Sequence, residues 1–380
     1  MSLFLTTFFL LYGGLHTYVF LKVKAVFPLA TKTHIIIILF MLFMVLAPVF
    51  VRLLEKAQYE SIARTIAYTG YTWMAAIFIL FVILLIFDII HLFIWMGCLI
   101  VRKNMLFFDF ASLHILIIAI ISTLCIITYG YFEAQTIQIH RISIESKKIA
   151  KEFNGFTIVQ ISDVHLGLIV REKRLQAIIE KVKEAKPHIL VSTGDLVDGQ
   201  IDNLSELITL LRGVSPSYGK YAITGNHEFY AGINNAVTFH KKTGFKLLRG
   251  EAITIPGIMN IAGVDDPAGK AYGLYRNISE KELLSNLPEE LFTVFLKHRP
   301  EVNSNSTGLF DLQLSGHTHK GQIFPFRYIT CIFFPMYSGF FNLGQGSYMY
   351  ASKGSGTWGP PIRFLAPPEI TVIYLTRKAS

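Results

Sequence analysis

The feature that most limits what this chain can become is a set of long apolar runs in its first third: Leu3 to Leu21, Ile35 to Val51, about Tyr71 to Val101, and Ala111 to Tyr131. Each is long enough to cross the ~30 Å hydrocarbon core of a bilayer as a helix. A buried soluble bundle would instead need polar faces at helical spacing, and the run Ile35-Ile36-Ile37-Ile38-Leu39-Phe40 has none. The charges follow the same division. Residues 1–131 carry 8 Lys/Arg and 4 Asp/Glu, whereas the other 249 residues carry 27 and 22. The whole chain is only 16% charged, against about one quarter in soluble domains. The sequence predicts four transmembrane helices within 1–131, a connector over 132–154 and one soluble domain over 155–380.

No basic residue precedes the first run and no small-residue cleavage site follows it, so it is expected to remain a span rather than be removed as a signal peptide. An amino terminus in the cytoplasm places seven positive residues inside: Arg52, Lys56, Arg64, Arg141, Lys147, Lys148 and Lys151. The opposite orientation places five there, Lys22, Lys24, Lys32, Arg102 and Lys103. The count favours a multi-pass protein with its soluble domain on the cytoplasmic side, and four crossings would put that domain on the side of Met1. Asp88 and His91, three apart in the third run, are either a mutually bonded pair or a functional one.

The net charge divides as +4 and +5 between the two parts. Neither part has the concentrated basic patch of a nucleic-acid binder. Cys98, Cys125 and Cys331 are too few and too scattered for a disulfide framework or a thiolate metal site.

Beyond Glu145 the pattern becomes that of an α/β domain. Apolar strands at Phe156 to Ile161, Ile189 to Thr193, Tyr221 to Thr224, Phe292 to Leu296 and Asp311 to Leu314 alternate with helical spacing at Leu175, Ile178, Ile179 and Val182, and at Leu204, Leu207, Ile208 and Leu211. Each strand stops on polar residues: Asp163 and His165, Asp195, Asn226, His298, then His317 and His319. Open α/β sheets bind ligands outside the carboxyl ends of their strands. A capping role explains one such residue, but with His227, which follows Asn226, five of the eight histidines beyond Tyr131 fall at these ends. In an extended backbone, Asp163 and His165 would point the same way. These seven oxygen and nitrogen donors, with no thiolate, suit Mn, Fe, Zn or Mg. They are too many for one small ion and natural for two.

The ordered set D-x-H, G-D, G-N-H-[DE], H, G-H-x-H resembles the calcineurin-like metallophosphoesterases from about Phe156 to the carboxyl terminus. The stretch Gly354 to Pro361 is similar to a membrane-anchored branch that includes UDP-2,3-diacylglucosamine pyrophosphatase-like proteins. The resemblance implies a four-layer α/β/β/α sandwich behind the four-helix transmembrane region. It implies a first metal on Asp163, His165 and His319, a second on Asn226, His298 and His317, and Asp195 bridging them. Two divalent cations ~3.5–4 Å apart can activate water and stabilise in-line displacement at phosphorus. The resemblance gives His227 the task of protonating the leaving oxygen or stabilising phosphoryl charge. Asp198 would orient it or else merely cap a loop, and Glu228 is a competing orienter. Lys320, where relatives often carry Gly, either contacts substrate phosphate or is a solvated loop residue.

Between Ile323 and Phe341 an aromatic stretch follows His319, broken by prolines and glycine. It is core, or it enters a membrane interface. The expected function is membrane-anchored hydrolysis of a phosphoester or pyrophosphate, with the lipid bilayer and a phosphorylated, amphiphilic small molecule as partners. The alternatives are a phosphodiesterase of soluble nucleotides and a non-catalytic receptor or transport component.

Overall fold

A computed structural model describes residues 2–101, 112–199 and 205–378. Arg102, Lys103 and Ala111, used above for topology, and Leu204 lie outside the described residues. The chain divides into two compact units, Met1–Tyr131 with Gly359–Ile362, and Phe132–Trp358 with Arg363–Ser380.

The first unit is built on helices α1 (Ser2–Val26), α2 (Thr31–Lys56), α3 (Glu60–Val101) and most of α4 (Ser112–Gln135). Among the described residues three of these, α2, α3 and α4, are long and apolar enough to cross a membrane, not the four expected. Helix α3 starts well before the apolar run because Ala63, Ala67 and Gly70 pack inward on one face. A Cβ on Gly70 would lie 2.7 Å from that of Ala47 in α2, a close approach that only small residues permit. Asp88 does not pair with His91; it accepts from Tyr18 Oη at 2.7 Å and Lys22 Nζ at 2.5 Å, both in α1.

The second unit holds two mixed six-stranded sheets. The first contains β1 (Gln138–Ser146), β2 (Phe156–Ile161), β3 (Ile189–Ser192), β4 (Lys220–Ala222), β5 (Lys246–Leu247) and β12 (Glu369–Arg377), in the order β1-β12-β2-β3-β4-β5. Strands β2 to β5 run parallel, and β12 pairs antiparallel with β2. The second contains β6 (Glu251–Ile255), β7 (Met259–Gly263), β8 (Phe292–Leu296), β9 (Leu312–Ser315), β10 (Gly339–Gly344) and β11 (Ser347–Ala351), in the order β10-β11-β9-β8-β7-β6. Strand β1 lies within the segment read as a connector and pairs in parallel with β12.

Period-two alternation sorts the strand side chains. Phe156, Ile158, Ile189, Val191, Ile373 and Leu375 join one apolar cluster with Val294, Leu296, Leu312 and Leu314 of the second sheet. The intervening Val159, Ile161, Leu190 and Val372 join another with helices α5 (Glu172–Glu184), α6 (Ser205–Arg212) and α8 (Ile233–Thr243), which follows a short α7 (Asn226–Tyr230). Helix α5 buries Leu175, Ile178, Ile179 and Val182, the spacing read from the sequence. The unit also contains two short helices, α9 (Glu280–Ser285) and α10 (Arg327–Phe333).

Candidate metal centre

The parallel strands of both sheets deliver their polar ends to one place. Asp163 and His165 follow β2, Asp195 and Asp198 follow β3, Asn226 and His227 open α7 after β4, His298 follows β8, and His317 and His319 follow β9. The backbone after β2 is laced to that after β3: Asp163 N donates to Gly194 O, His165 N to Asp195 O, and Asp198 N to Leu166 O, at 2.9–3.1 Å. Asp163 and His165 are not extended. They have φ of 50° and 55°, and Asp195, His317 and His319 share the left-handed region at 50°, 73° and 49°. For side chains other than Gly this conformation costs free energy and persists only where packing enforces it. It turns each donor off its strand and into the site.

Asp163, His165 and His319 present ligand atoms within 4.8 Å of one another, as do Asp195, His298 and His317, and also His165, Asp195 and His227. The Asp195 Oδ2 atom joins the groups, 3.2 Å from His298 Nε2 and 3.9 Å from His165 Nε2. Ring nitrogens face each other at 3.1 Å twice, His165 Nε2 with His319 Nε2 and His298 Nε2 with His317 Nδ1. The buried Asn226 Oδ1 and His165 Nδ1 atoms have no hydrogen-bond partner. Opposed imidazole nitrogens, an orphaned amide oxygen and converging carboxylates fit a divalent cation. The motif glycines make room: a Cβ on Gly225 would collide with Asp195 Oδ1, and one on Gly316 with Ser162 and Asp163.

Charge is distributed accordingly. Burial opposes protonation of His298 and His227, but Asp195 outweighs it, pushing them up to about 10 and about 9. His317 and His319 are held well below the usual histidine range, by burial first and then by the charges of His298 and Arg363 respectively. Burial resists ionisation of Asp195, yet His298 and His227 hold its carboxyl well below the ordinary range.

Surrounding groups fix the donors. His298 Nδ1 lies 2.7 Å from Thr193 O, which directs Nε2 to Asp195, and the amide of His317 donates to both oxygens of Asp163 at 3.0 Å. His227 Nδ1 lies 2.9 Å from both the carbonyl O and the Oδ1 of Asp198. Glu228 does not orient His227. Its carboxylate accepts from the amides of Gly225, Asp195 and Leu196 at 2.7, 3.0 and 2.8 Å, which holds the Asp195 turn. Lys320 follows His319 with φ of 53°. The sequence reading missed Arg363, a fully buried guanidinium that donates to Gly356 O at 2.6 Å and Lys353 O at 2.7 Å and meets His319 Nδ1 at 3.1 Å. Its signal was the glycine-rich stretch before it, whose Gly354 and Gly356 carbonyls face this guanidinium.

Carboxylate and imidazole donors gathered at the strand ends of an α/β fold define a divalent-metal hydrolase site. The calcineurin-like phosphoesterase signature matches residues 156–321. An uncharacterized metallophosphoesterase of Aquifex aeolicus is 39% identical over 253 residues, covering 66% of this chain and 97% of that protein. One from Campylobacter jejuni is 34% identical, covering 64% of each chain. A Danio rerio protein named as a transmembrane protein with a metallophosphoesterase domain is 28% identical, covering 68% of this chain and 62% of that one. Among solved structures, a dimetal phosphatase from Danio rerio is similar with a TM-score of 0.35 and 13% identity, covering 53% of this chain and 88% of that one. The chain belongs to the calcineurin-like metallophosphoesterase family: it is a phosphoester hydrolase that binds divalent metal.

Proposed function

We propose that the chain is a membrane-anchored dinuclear phosphoesterase of four-layer α/β/β/α architecture. Asp163, His165 and His319 would hold one cation, Asn226, His298 and His317 the other, with Asp195 shared. The observation that carries this reading is the placement of Asp195 Oδ2 between His298 and His165. Bound divalent cations supply Lewis acidity and lower the pKa of water.

The chain's own residues supply the remainder. His227 is engaged at Nδ1 by Asp198, so its second proton sits on Nε2, ready for the leaving oxygen. Tyr230 and Trp358, both about half exposed, flank the ring of His227 at 5.0 and 5.9 Å between centroids. They would line the approach of the substrate's organic part.

The bond cleaved is a phosphodiester or pyrophosphate, and the substrate is amphiphilic. The three membrane-length helices and the likeness of Gly354 to Pro361 to the diacylglucosamine branch support that reading. Full-length protein in detergent, stripped and reloaded with Mn, Zn or Mg, should hydrolyse an aryl phosphodiester. Asp195→Ala should reduce the rate at least about 10³-fold; undiminished hydrolysis overturns the proposal. Faster turnover of soluble nucleotides than of lipid phosphates would assign the substrate to the nucleotide class instead.

A further inference from the structure

Helix α10 is apolar on its outer side. Phe326, Ile329, Ile332 and Phe333 recur at helical spacing and are 45, 45, 76 and 72% exposed, while the polar Thr330 faces inward. This inverts the amphipathic order of a soluble surface helix, which turns polar residues to water. The stripe begins within seven residues of the metal-site residue His319, and Phe334, directly after the helix, packs against the ring of His317 at 5.1 Å.

The last residues of α4, from Phe132, belong to the same unit as α10. Tyr129, Tyr131 and Phe132 lie exposed near the end of this membrane-length helix, where aromatic residues mark the headgroup level. One residue further, Glu133 accepts hydrogen bonds from the backbone amides of Leu365 and Ala366 and interacts with the charges of Arg363 and Lys320. Lys320 leads into α10. The chain then enters β1 only two residues after α4 ends, a link that reaches about 7 Å at most. At the start of α10, Arg327 lies over the rings of Phe324 and Tyr328 at 4.8 and 5.1 Å, a cation able to reach lipid phosphate while its stem rests on aromatic surface. A seven-residue helix is about 10 Å long and about 10 Å wide, so its outer side offers on the order of 100 Å², far short of the roughly 800 Å² per partner that a stable dimer needs.

We propose that α10 is a membrane-docking element that seats its apolar stripe in the bilayer interface and presents the metal centre to phosphate at the headgroup level. This goes beyond the hydrolytic reading and can fail separately from it. The test uses full-length protein carrying Cys98→Ser and Cys125→Ser, with an environment-sensitive fluorophore on the exposed Cys331 of α10, reconstituted in phosphatidylglycerol/phosphatidylcholine vesicles. The expected result is quenching by lipids spin-labelled high on the acyl chain and protection from aqueous iodide, with the opposite pattern for a probe at Lys281→Cys.

Iodide quenching of Cys331 without lipid quenching overturns the proposal. So does protection that persists in detergent and rises with protein concentration, which would mean a second copy covers the helix. As a second measurement, Ile332→Glu with Phe333→Glu should slow hydrolysis of a vesicle-embedded amphiphilic phosphoester at least tenfold and leave a soluble aryl phosphodiester unaffected. Equal rates on the embedded substrate overturn the proposal. Loss of all hydrolysis in the unmodified chain would strike the phosphoesterase reading and leave the quenching result standing.

Discussion

Arg363 Nη2 lies 3.1 Å from His319 Nδ1. A guanidinium only donates, so Nδ1 must accept, and a neutral His319 then carries its proton on Nε2 until a cation displaces it, a loss that the Arg363 charge favours. That nitrogen faces His165 Nε2 at 3.1 Å and Asp163 Oδ1 at 3.5 Å. The remaining Arg363 donors meet backbone carbonyls of residues 353 to 366, so one buried side chain both holds this loop and aims a metal-site histidine. Partners behind metal ligands commonly contribute roughly 10- to 100-fold in affinity. Arg363→Met should therefore weaken divalent-cation binding by about that factor, measured by competition with a fluorescent chelator. Arg363→Lys should recover only part of it, because one ammonium cannot span the same acceptors.

Metal binding should release protons. In the metal-free site His298 is pushed up to about 10 because Asp195 outweighs burial, so at neutral pH it is protonated. As a ligand it must surrender the Nε2 proton. Affinity should therefore rise with pH, by about tenfold per unit for each proton released, and level off as pH passes about 10. Calorimetric titrations in two buffers of different ionisation enthalpy would count the protons. Pure metal binding with no buffer dependence would contradict this charge distribution.

His227 should matter most when the leaving group is poor. His227→Asn should lower kcat about 10²- to 10⁴-fold on an alkyl phosphodiester and far less on an aryl ester whose leaving group needs no proton. Its pKa near 9 arises from Asp195 and Asp198 overcoming burial, so the acid form persists through neutral pH. Cations on Asp195 weaken that pull, which places the alkaline limb of the rate profile at or below about 9. Asp198→Asn should move the limb lower still.

The Lys220 ammonium, almost fully buried, donates to Leu211 O at 2.8 Å and Thr243 O at 2.7 Å. Both are carbonyls in the last turns of α6 and α8, where positive charge is favourable. Lys220→Met should lose roughly 1–3 kcal/mol of stability in urea unfolding. Activity per folded molecule should not change, since Lys220 lies outside the metal site.

Much of this was legible along the chain because periodicity and strand ends are local properties. Apolar runs and period-two strands follow from hydrophobic burial alone, and Asp163, His165, Asp195, Asn226, His298, His317 and His319 could be singled out because each closes a strand. The apolar region was only partly legible: four spans were expected, and among the described residues α2, α3 and α4 are long and apolar enough to cross a membrane. Asp88 looked like a partner for His91 three residues away. Its partners Tyr18 and Lys22 come from another helix, and sequence spacing cannot reveal a contact made between helices.

The same limit separates what the sequence determined from what the tertiary structure decided. Residue types and their order determined a divalent-metal chemistry, since oxygen and nitrogen donors without thiolates admit few others. The backbone around those donors was decided only by folding: Asp163 and His165 adopt left-handed conformations that local preference disfavours and that surrounding packing enforces. Folding likewise separated Asp198 from Glu228. Both are acidic neighbours of the site in sequence, yet Asp198 meets the His227 ring while Glu228 gathers backbone amides. Arg363 belongs wholly to the tertiary structure, because a guanidinium becomes a positioning group only once the chain has closed around it and left its donors no water to bind.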